Sequence, residues 1–156
     1  MQQAVAVFDT RSVKGEVVFT DSRGGVIVDV MFSALPAGDH GFHIHAAGDL
    51  RGEGCMKACA HYHVGPPAQH GGPPGTRGER HTGDLGNIRM PGGGRTFCKK
   101  EYVLKGVKCA DLFGRSVIVH ADPDDYGTGP FEDSPTTGHS GKRIACAVIG
   151  RAEGCP

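Results

Sequence analysis

The sequence predicts an all-β fold, an eight-stranded antiparallel Greek-key barrel or sandwich with two long functional loops. Short valine-rich or alternating segments recur along the chain, and no helical period is sustained. Turn sequences such as DSRGG, LPAGD and MPGGG separate several of these segments. A chain of 156 residues is long enough to bury a core, so we expect one domain over residues 1–156.

Eight segments carry the strand pattern, with sequences such as EVVF, VIVDVMF and SVIVH. In chain order, strands are predicted at residues 3–9, 15–20, 26–32, 40–45, 84–89, 95–104, 116–120 and 144–150. Strands this short, joined by glycine- and proline-rich turns, are typical of sandwiches and small barrels.

Two connections are much longer than the turns between the other predicted strands. They are residues 46–81, about 35 residues, and residues 121–142, about 22 residues. Such loops are uncommon in compact domains and are usually functional or disordered. The first loop contains a set of potential ligands: Cys55, Cys59, His61, His63 and His70. The second is acidic: Asp122, Asp124, Asp125, Glu132 and Asp133. We expect metal ligation and a disulfide to hold these loops in place.

Composition argues against several classes of partner. Seventeen basic residues balance seventeen acidic ones, so we expect neither nucleic acid nor a membrane surface as a partner. No apolar run approaches the roughly 20 residues that span a bilayer. The segment MQQAVAVFD lacks the pattern of a signal peptide, so a cytoplasmic location is expected unless a leader was removed. The six cysteines form no CxxC pair, and in the cytosol most would be free thiols.

Histidines supply the chemical signal. His43 and His45 are two residues apart on a predicted strand, so they share a face and can chelate one ion, although ordinary strand histidines would look the same. HTGD adds a histidine close to a carboxylate, and His120 ends another strand. Imidazole suits copper and zinc. The candidates are His43, His45, either His61 or His63, His70, His81, Asp84 and His120. Seven ligands for two four-coordinate ions require one shared ligand.

The segments GFHIHAAGD, HGGPPGTRGERHTGDLGN, GRSVIVHADPDDYGTG and GKRIACAVIG resemble the copper-zinc superoxide dismutases, nearly end to end. The resemblance implies the sandwich fold. It also implies dismutation of superoxide to dioxygen and hydrogen peroxide by copper redox cycling, with zinc in a structural role. A copper-handling protein on the same fold and a zinc-only module are the alternatives from other classes.

The resemblance also implies how the ligands divide. Copper would be bound by His43, His45, His61 and His120, and zinc by His61, His70, His81 and Asp84. His61 would then bridge the ions and act in catalysis as a proton carrier. Its position six residues after Cys55 and before Tyr62 matches the family. His63 falls where the family usually has asparagine, which favours a solvated or hydrogen-bonding role over a competing ligand.

Further roles come from the same resemblance. Arg143 would bind the anion at the copper mouth, rather than being a surface strand arginine, and Thr137 would narrow the channel. Asp124 would link His43 to His70. Cys55 and Cys146 would form the disulfide. Outside the family pattern lie Cys59, Cys98, Cys109 and Cys155, and Cys59 is near enough in sequence to compete with Cys55.

Two departures from the family pattern carry expectations of their own. Asp122 and Thr136 occupy positions where many members carry lysine, so we predict weak electrostatic steering, even with Lys142 next to Arg143. A homodimer is expected through the segment at Phe113, although Arg151 places a charge in its interface. A copper chaperone is a further candidate partner.

Overall fold

The computed structural model describes residues 1–93 and 97–153. This part of the chain contains nine strands: β1 (Gln3–Asp9), β2 (Lys14–Ser22), β3 (Gly25–Ala34), β4 (Gly38–His45), β5 (Asp84–Met90), β6 (Cys98–Leu104), β7 (Ser116–His120), β8 (Arg143–Val148) and β9 (Gly150–Ala152). It also contains a 3₁₀ turn (Met56–Ala58) and two one-turn helices, α1 (Cys109–Leu112) and α2 (Ser134–Thr137). Within the described ranges, no helix has the length and apolarity to cross a bilayer.

The strands form two antiparallel sheets. One has the order β6-β3-β2-β1-β9 and the other β5-β4-β7-β8. After β4 and β5 in the second sheet, the chain returns to the first and places β6 beside β3, which is Greek-key connectivity. The described strands make a sandwich of two open sheets, so the antiparallel all-β prediction is confirmed in its sandwich form.

The core lies between the sheets and follows from the alternation of the strands. On β3, Val26, Val28, Val30 and Phe32 are buried, while the residues between them are at least partly exposed. The Phe32 ring packs edge-on against Phe42 of the opposite sheet, with centroids 6.2 Å apart. On β4, Phe42 and Ile44 pack into this core, so the intervening His43 and the following His45 project from the other face.

The last predicted strand, residues 144–150, is wrong as one element. β8 ends at Val148, and β9 pairs with β1 in the other sheet, with Gln3 opposite Ala152. Ile149, between them, is fully buried and hydrogen-bonded through its backbone to Gly114 and Arg115. The chain therefore changes sheets at this residue. Of the strand predicted at residues 95–104, positions 95 and 96 lie outside the described residues, and the described strand begins at Cys98.

Candidate metal centre and active site

Four histidines from three parts of the chain meet on the outer face of the second sheet. His43 and His45 come from β4, and His120 from the end of β7, the neighbouring strand. His61 comes from the long loop, which makes an isolated antiparallel bridge between His61 and His45. One ring nitrogen of each histidine lies within 4.8 Å of the others. The sheet thus supplies three imidazoles, and the loop brings the fourth over them.

These four rings direct unpaired nitrogens into the cluster. His43 Nδ1, His45 Nε2, His61 Nε2 and His120 Nε2 are buried and have no hydrogen-bond partner among the described residues. A buried polar atom without a partner is costly, and four that converge indicate a ligand that binds all of them. A set of four imidazole nitrogens suits copper. The residues present therefore fit a copper ion.

The opposite nitrogens of three rings are fixed by hydrogen bonds. His43 Nε2 donates to Asp124 at 2.5 Å, His45 Nδ1 to the Cys59 carbonyl at 2.7 Å, and His120 Nδ1 to the Gly141 carbonyl at 3.1 Å. A ring that donates from one nitrogen presents the other as a lone pair. These contacts select the tautomer that a metal requires.

The fourth ring joins a second cluster, which consists of His61, His70, His81 and Asp84. The Asp84 Oδ1 atom lies 2.8 Å from His61 Nδ1, 3.0 Å from His70 Nδ1 and 3.3 Å from His81 Nδ1. Three histidines and one aspartate form a tetrahedral zinc set. His61 is the residue common to both clusters, with Nε2 facing the first and Nδ1 facing the second.

The carboxylate of Asp84 is oriented by its surroundings. Its other oxygen accepts hydrogen bonds from the Gly71 amide at 2.9 Å and the His81 amide at 2.7 Å. Burial would raise the pKa of Asp84, but hydrogen bonds from the three histidines outweigh burial and hold it well below its usual range. Asp84 is therefore ionised and aimed at the histidines.

Asp124 connects the clusters. In addition to its contact with His43, it accepts a hydrogen bond from His70 Nε2 at 2.8 Å. Its backbone is held by the Asn87 side chain, which accepts from the Asp124 amide at 2.7 Å and donates to its carbonyl at 3.0 Å. Gly138 (φ 72°) packs so closely that a Cβ there would overlap Asp124 and His70. The structure thus places Asp124 in contact with both His43 and His70, whereas sequence reasoning missed Asn87.

His63 lies outside both clusters. Its Nε2 donates to the Pro66 carbonyl at 2.7 Å, and its Nδ1 accepts from the Thr82 amide at 3.2 Å. Its ring meets that of His81 edge-on, with centroids 5.5 Å apart. Both ring nitrogens of His63 are therefore hydrogen-bonded, and these contacts hold the loop beside the second cluster.

Arg143 lines an open cavity of about 470 Å³ together with His61 and Thr137. Its Nη1 donates to the Cys55 carbonyl at 2.9 Å and its Nη2 to the Cys59 carbonyl at 2.8 Å. A guanidinium has five N–H donors, so others are left for a small anion. The site thus combines a buried histidine cluster with a positioned cation.

The predicted disulfide joins Cys55 to Cys146, with Cα atoms 6.3 Å apart. It ties the long loop to β8, the strand that carries Arg143. Within the described part of the chain, Cys59 is an exposed free thiol, and Cys98 and Cys109 are buried free thiols. Cys155 lies outside the described residues.

The titration of these histidines predicts an optimum of stability for the metal-free protein. Burial lowers the pKa of His45 to about 2 and that of His120 to about 4. Below about pH 6.5 the unfolded chain therefore binds protons that the folded chain does not, and stability falls as the pH drops toward 4.

His70 acts in the other direction. Burial lowers its pKa, but the carboxylates of Asp124 and Asp84 outweigh burial and raise it to about 9. Its stabilising contribution is present below about pH 6.5 and is lost as the pH rises through 9. Thermal unfolding of chelator-treated protein should thus give a maximum near neutrality. A melting temperature that rose steadily from pH 6.5 to pH 4 would contradict this, and His120→Asn should make the acid limb shallower.

Comparison with known proteins agrees with this geometry. The family described as Copper/zinc superoxide dismutase (SODC) matches residues 13–149. The chain is 46% identical over 154 residues to Superoxide dismutase [Cu-Zn] of Paramecium bursaria Chlorella virus 1, covering 96% of this chain and 79% of that protein. It is 40% identical over 140 residues to Extracellular superoxide dismutase [Cu-Zn] of Caenorhabditis elegans, covering 89% of this chain and 62% of that protein.

A solved structure resembles the fold as well. The crystal structure of the clock protein EA4 superposes with a TM-score of 0.86 at 35% identity, covering 96% of this chain and 94% of that one. With a family match over most of its length and metal clusters of the corresponding composition, the chain belongs to the copper/zinc superoxide dismutases, enzymes that convert superoxide to dioxygen and hydrogen peroxide with copper and zinc.

Proposed function

We propose that this protein dismutes superoxide at the four-histidine cluster, with His43, His45, His61 and His120 as copper ligands. The second cluster, His61, His70, His81 and Asp84, is the proposed zinc site. The observation that carries the proposal is that His61 belongs to both clusters and presents one nitrogen to each. When bound, copper supplies the one-electron chemistry, accepting an electron from one superoxide and returning it to the next.

The chain's own contribution begins with binding the anion. Arg143 lines the cavity and is held by two backbone carbonyls, so it would need little reorganisation to donate its remaining N–H groups to superoxide. Charge-assisted hydrogen bonds from a guanidinium orient a small anion at low entropic cost. Thr137 lines the same cavity, and we assign to it the narrowing of the approach.

Protons are the second contribution. Hydrogen peroxide forms when the second superoxide gains one electron and two protons, so a donor is needed near the anion. His61 lines the same cavity as Arg143, and its Nε2 has no partner among the described residues. We assign His61 Nε2 as the atom that would carry a proton to the product whenever it is not bound to copper, while Nδ1 stays on the Asp84 side.

Metal analysis combined with superoxide decay tests the function. The purified protein should bind copper and zinc at about one ion of each per chain and should accelerate superoxide decay in proportion to its copper content. A copper-binding protein without turnover would support a copper-handling role instead. Zinc without copper or activity would support a zinc-only module, and either result would contradict the proposal.

The cavity also predicts how substrate is attracted. Arg143 is the one cationic side chain among the described residues that line it, and Thr136 stands at a position where many family members carry lysine. Long-range steering should therefore be weak, and kcat/KM should fall by no more than about twofold between 0.01 and 0.15 M salt. Thr136→Lys is the matched variant and should steepen the dependence. A steep fall in the unmodified protein would contradict the prediction.

We further propose a homodimer through the region around Phe113 and β9. Val148, nearby in sequence, is 42% exposed, which leaves apolar surface available. The Arg151 guanidinium lies over the Phe113 ring, 5.6 Å from its centroid, and pairs with Glu153 at 3.0 Å, so the interface charge is partly balanced. Sedimentation should give twice the chain mass of 16.3 kDa. A monomer at micromolar concentration would contradict this, and Arg151→Leu should increase dimerisation.

A further inference from the structure

Cys59 has a backbone conformation that non-glycine residues rarely adopt. Its φ is 67° and its ψ is −150°. This lies at the edge of a region that is essentially reserved for glycine, and occupying it costs of order 1–3 kcal/mol. Such strain persists where the surrounding structure enforces it and is concentrated at functional positions. Glycine would adopt this conformation without strain, so the presence of a cysteine at this position requires an explanation.

The backbone of Cys59 holds two groups of the active site. Its carbonyl oxygen accepts a hydrogen bond from His45 Nδ1 at 2.7 Å and another from Arg143 Nη2 at 2.8 Å. A displacement of residue 59 would therefore remove one hydrogen bond from a proposed copper ligand and one from the proposed anion-binding group. The inference rests on the proposed function in that His45 is taken as a copper ligand and Arg143 as the group that binds superoxide.

The backbone of Cys59 lies close in the fold to a disulfide. Cys55 and Cys59 flank the 3₁₀ turn Met56–Ala58, and both have positive φ. Their carbonyls bind the same guanidinium, that of Arg143, which lies three residues before Cys146 on β8. Cys59 is exposed and free within the described part of the chain. β8 therefore places Cys146 near the 3₁₀ turn, which has Cys55 on one side and Cys59 on the other.

We propose that Cys59 is an alternative disulfide partner of Cys146, so that the enzyme interconverts between two disulfide isomers of different activity. The Cys59 thiolate attacks Cys146 Sγ, and a Cys59–Cys146 bond forms. The Cys55–Cys146 bond breaks, and its electron pair leaves on the sulfur of Cys55, which takes up the proton. One thiol and one disulfide are present before and after, so no oxidant or reductant is consumed.

The second isomer would have a rearranged active site. Formation of a bond to Cys146 would displace residue 59 and withdraw its carbonyl from His45 and Arg143. The His45 ring then loses the contact that fixes its tautomer, and the guanidinium loses one of its two holders. The isomer with Cys55 bonded is the active form, and the isomer with Cys59 bonded is the form of low activity.

Disulfide mapping of the holoenzyme tests the exchange directly. In a Cys155→Ser background, oxidised protein is incubated without oxygen or added thiol, quenched with acid, alkylated and mapped by mass spectrometry. We expect both Cys55–Cys146 and Cys59–Cys146 peptides, and the second should be absent from Cys59→Ser. Recovery of Cys55–Cys146 alone, at every incubation time, would overturn the proposal. This measurement does not depend on catalysis, so it decides the exchange even if the proposed activity fails.

A locked variant tests the effect on activity. Cys55→Ser should form the Cys59–Cys146 bond, and its kcat/KM per bound copper should rise about tenfold or more on reduction, the effect of regaining a hydrogen bond to a charged group. Cys55→Ser combined with Cys59→Ser cannot form the bond and should not respond to reduction. Free Cys59 and Cys146 thiols in oxidised Cys55→Ser, or equal activity per copper before and after reduction, would overturn the proposal.

Discussion

Replacement of His61 by alanine should reduce superoxide dismutase activity by at least about 100-fold and weaken the binding of both metals. The reason is that one ring serves two clusters: Nε2 faces the four-histidine cluster, and Nδ1 lies 2.8 Å from Asp84 in the other. Its removal deletes a ligand from each site and the proposed proton donor. Metal content per chain and superoxide decay, measured on the same preparation, check this expectation.

His63→Asn is the matched control, two residues away in the same loop. An asparagine amide has both a donor and an acceptor, so it can replace the contacts of His63 with the Pro66 carbonyl and the Thr82 amide. Copper, zinc and activity should stay within about twofold of the unmodified protein, since a surface hydrogen bond contributes little. If His63→Asn abolished activity and His61→Ala did not, the bridging role would belong to His63.

Loss of the disulfide should have the largest effect on stability. The bond closes a loop across 91 residues, and in the chain-entropy model this contributes about 4 to 5 kcal/mol to the free energy of unfolding. Cys146→Ser should therefore lower the melting temperature of the metal-free protein by about 10 to 20 °C. Calorimetry or thermal circular dichroism measures the shift.

Cys59→Ser serves as the control for this experiment because its side chain is nearly isosteric and exposed and lies outside the Cys55–Cys146 bond. It should keep the melting temperature of the oxidised protein. Reduction should bring the unmodified protein down to the value of Cys146→Ser and leave Cys146→Ser unchanged. A Cys146→Ser protein as stable as the oxidised form would show that the crosslink does not constrain the unfolded chain.

Local sequence predicted most of the fold because strand alternation is a local property. β1 and β7 occur at their predicted bounds, and β2 to β5 begin and end within two residues of theirs. The last strand could not be predicted in the same way, since Ile149 continues the apolar pattern while the chain passes to the other sheet. The helical turns in the loops span only three or four residues, too few to show a period.

The site was predictable to the extent that its residues carry local spacing or the family resemblance. His43 and His45 show the strand period, but His61 and His63 lie in a loop, where alternation has no meaning. The backbone bridge between His45 and His61 accounts for which ring enters the cluster. The role of Asn87 could not be predicted from local sequence because its partner, Asp124, is 37 residues away. The role of the Cys59 carbonyl could not be predicted because its partner, Arg143, is 84 residues away.

The change of sheet at Ile149 has a consequence for the timing of assembly. β9 pairs with β1, so β1 meets this neighbour only when residues 150–152 have been made. β8, just before it, carries both Arg143 and Cys146. During synthesis the histidines of β4 and β7 can come together earlier than the cation and the crosslink. A nascent chain should therefore be able to gather metal before it can turn over superoxide.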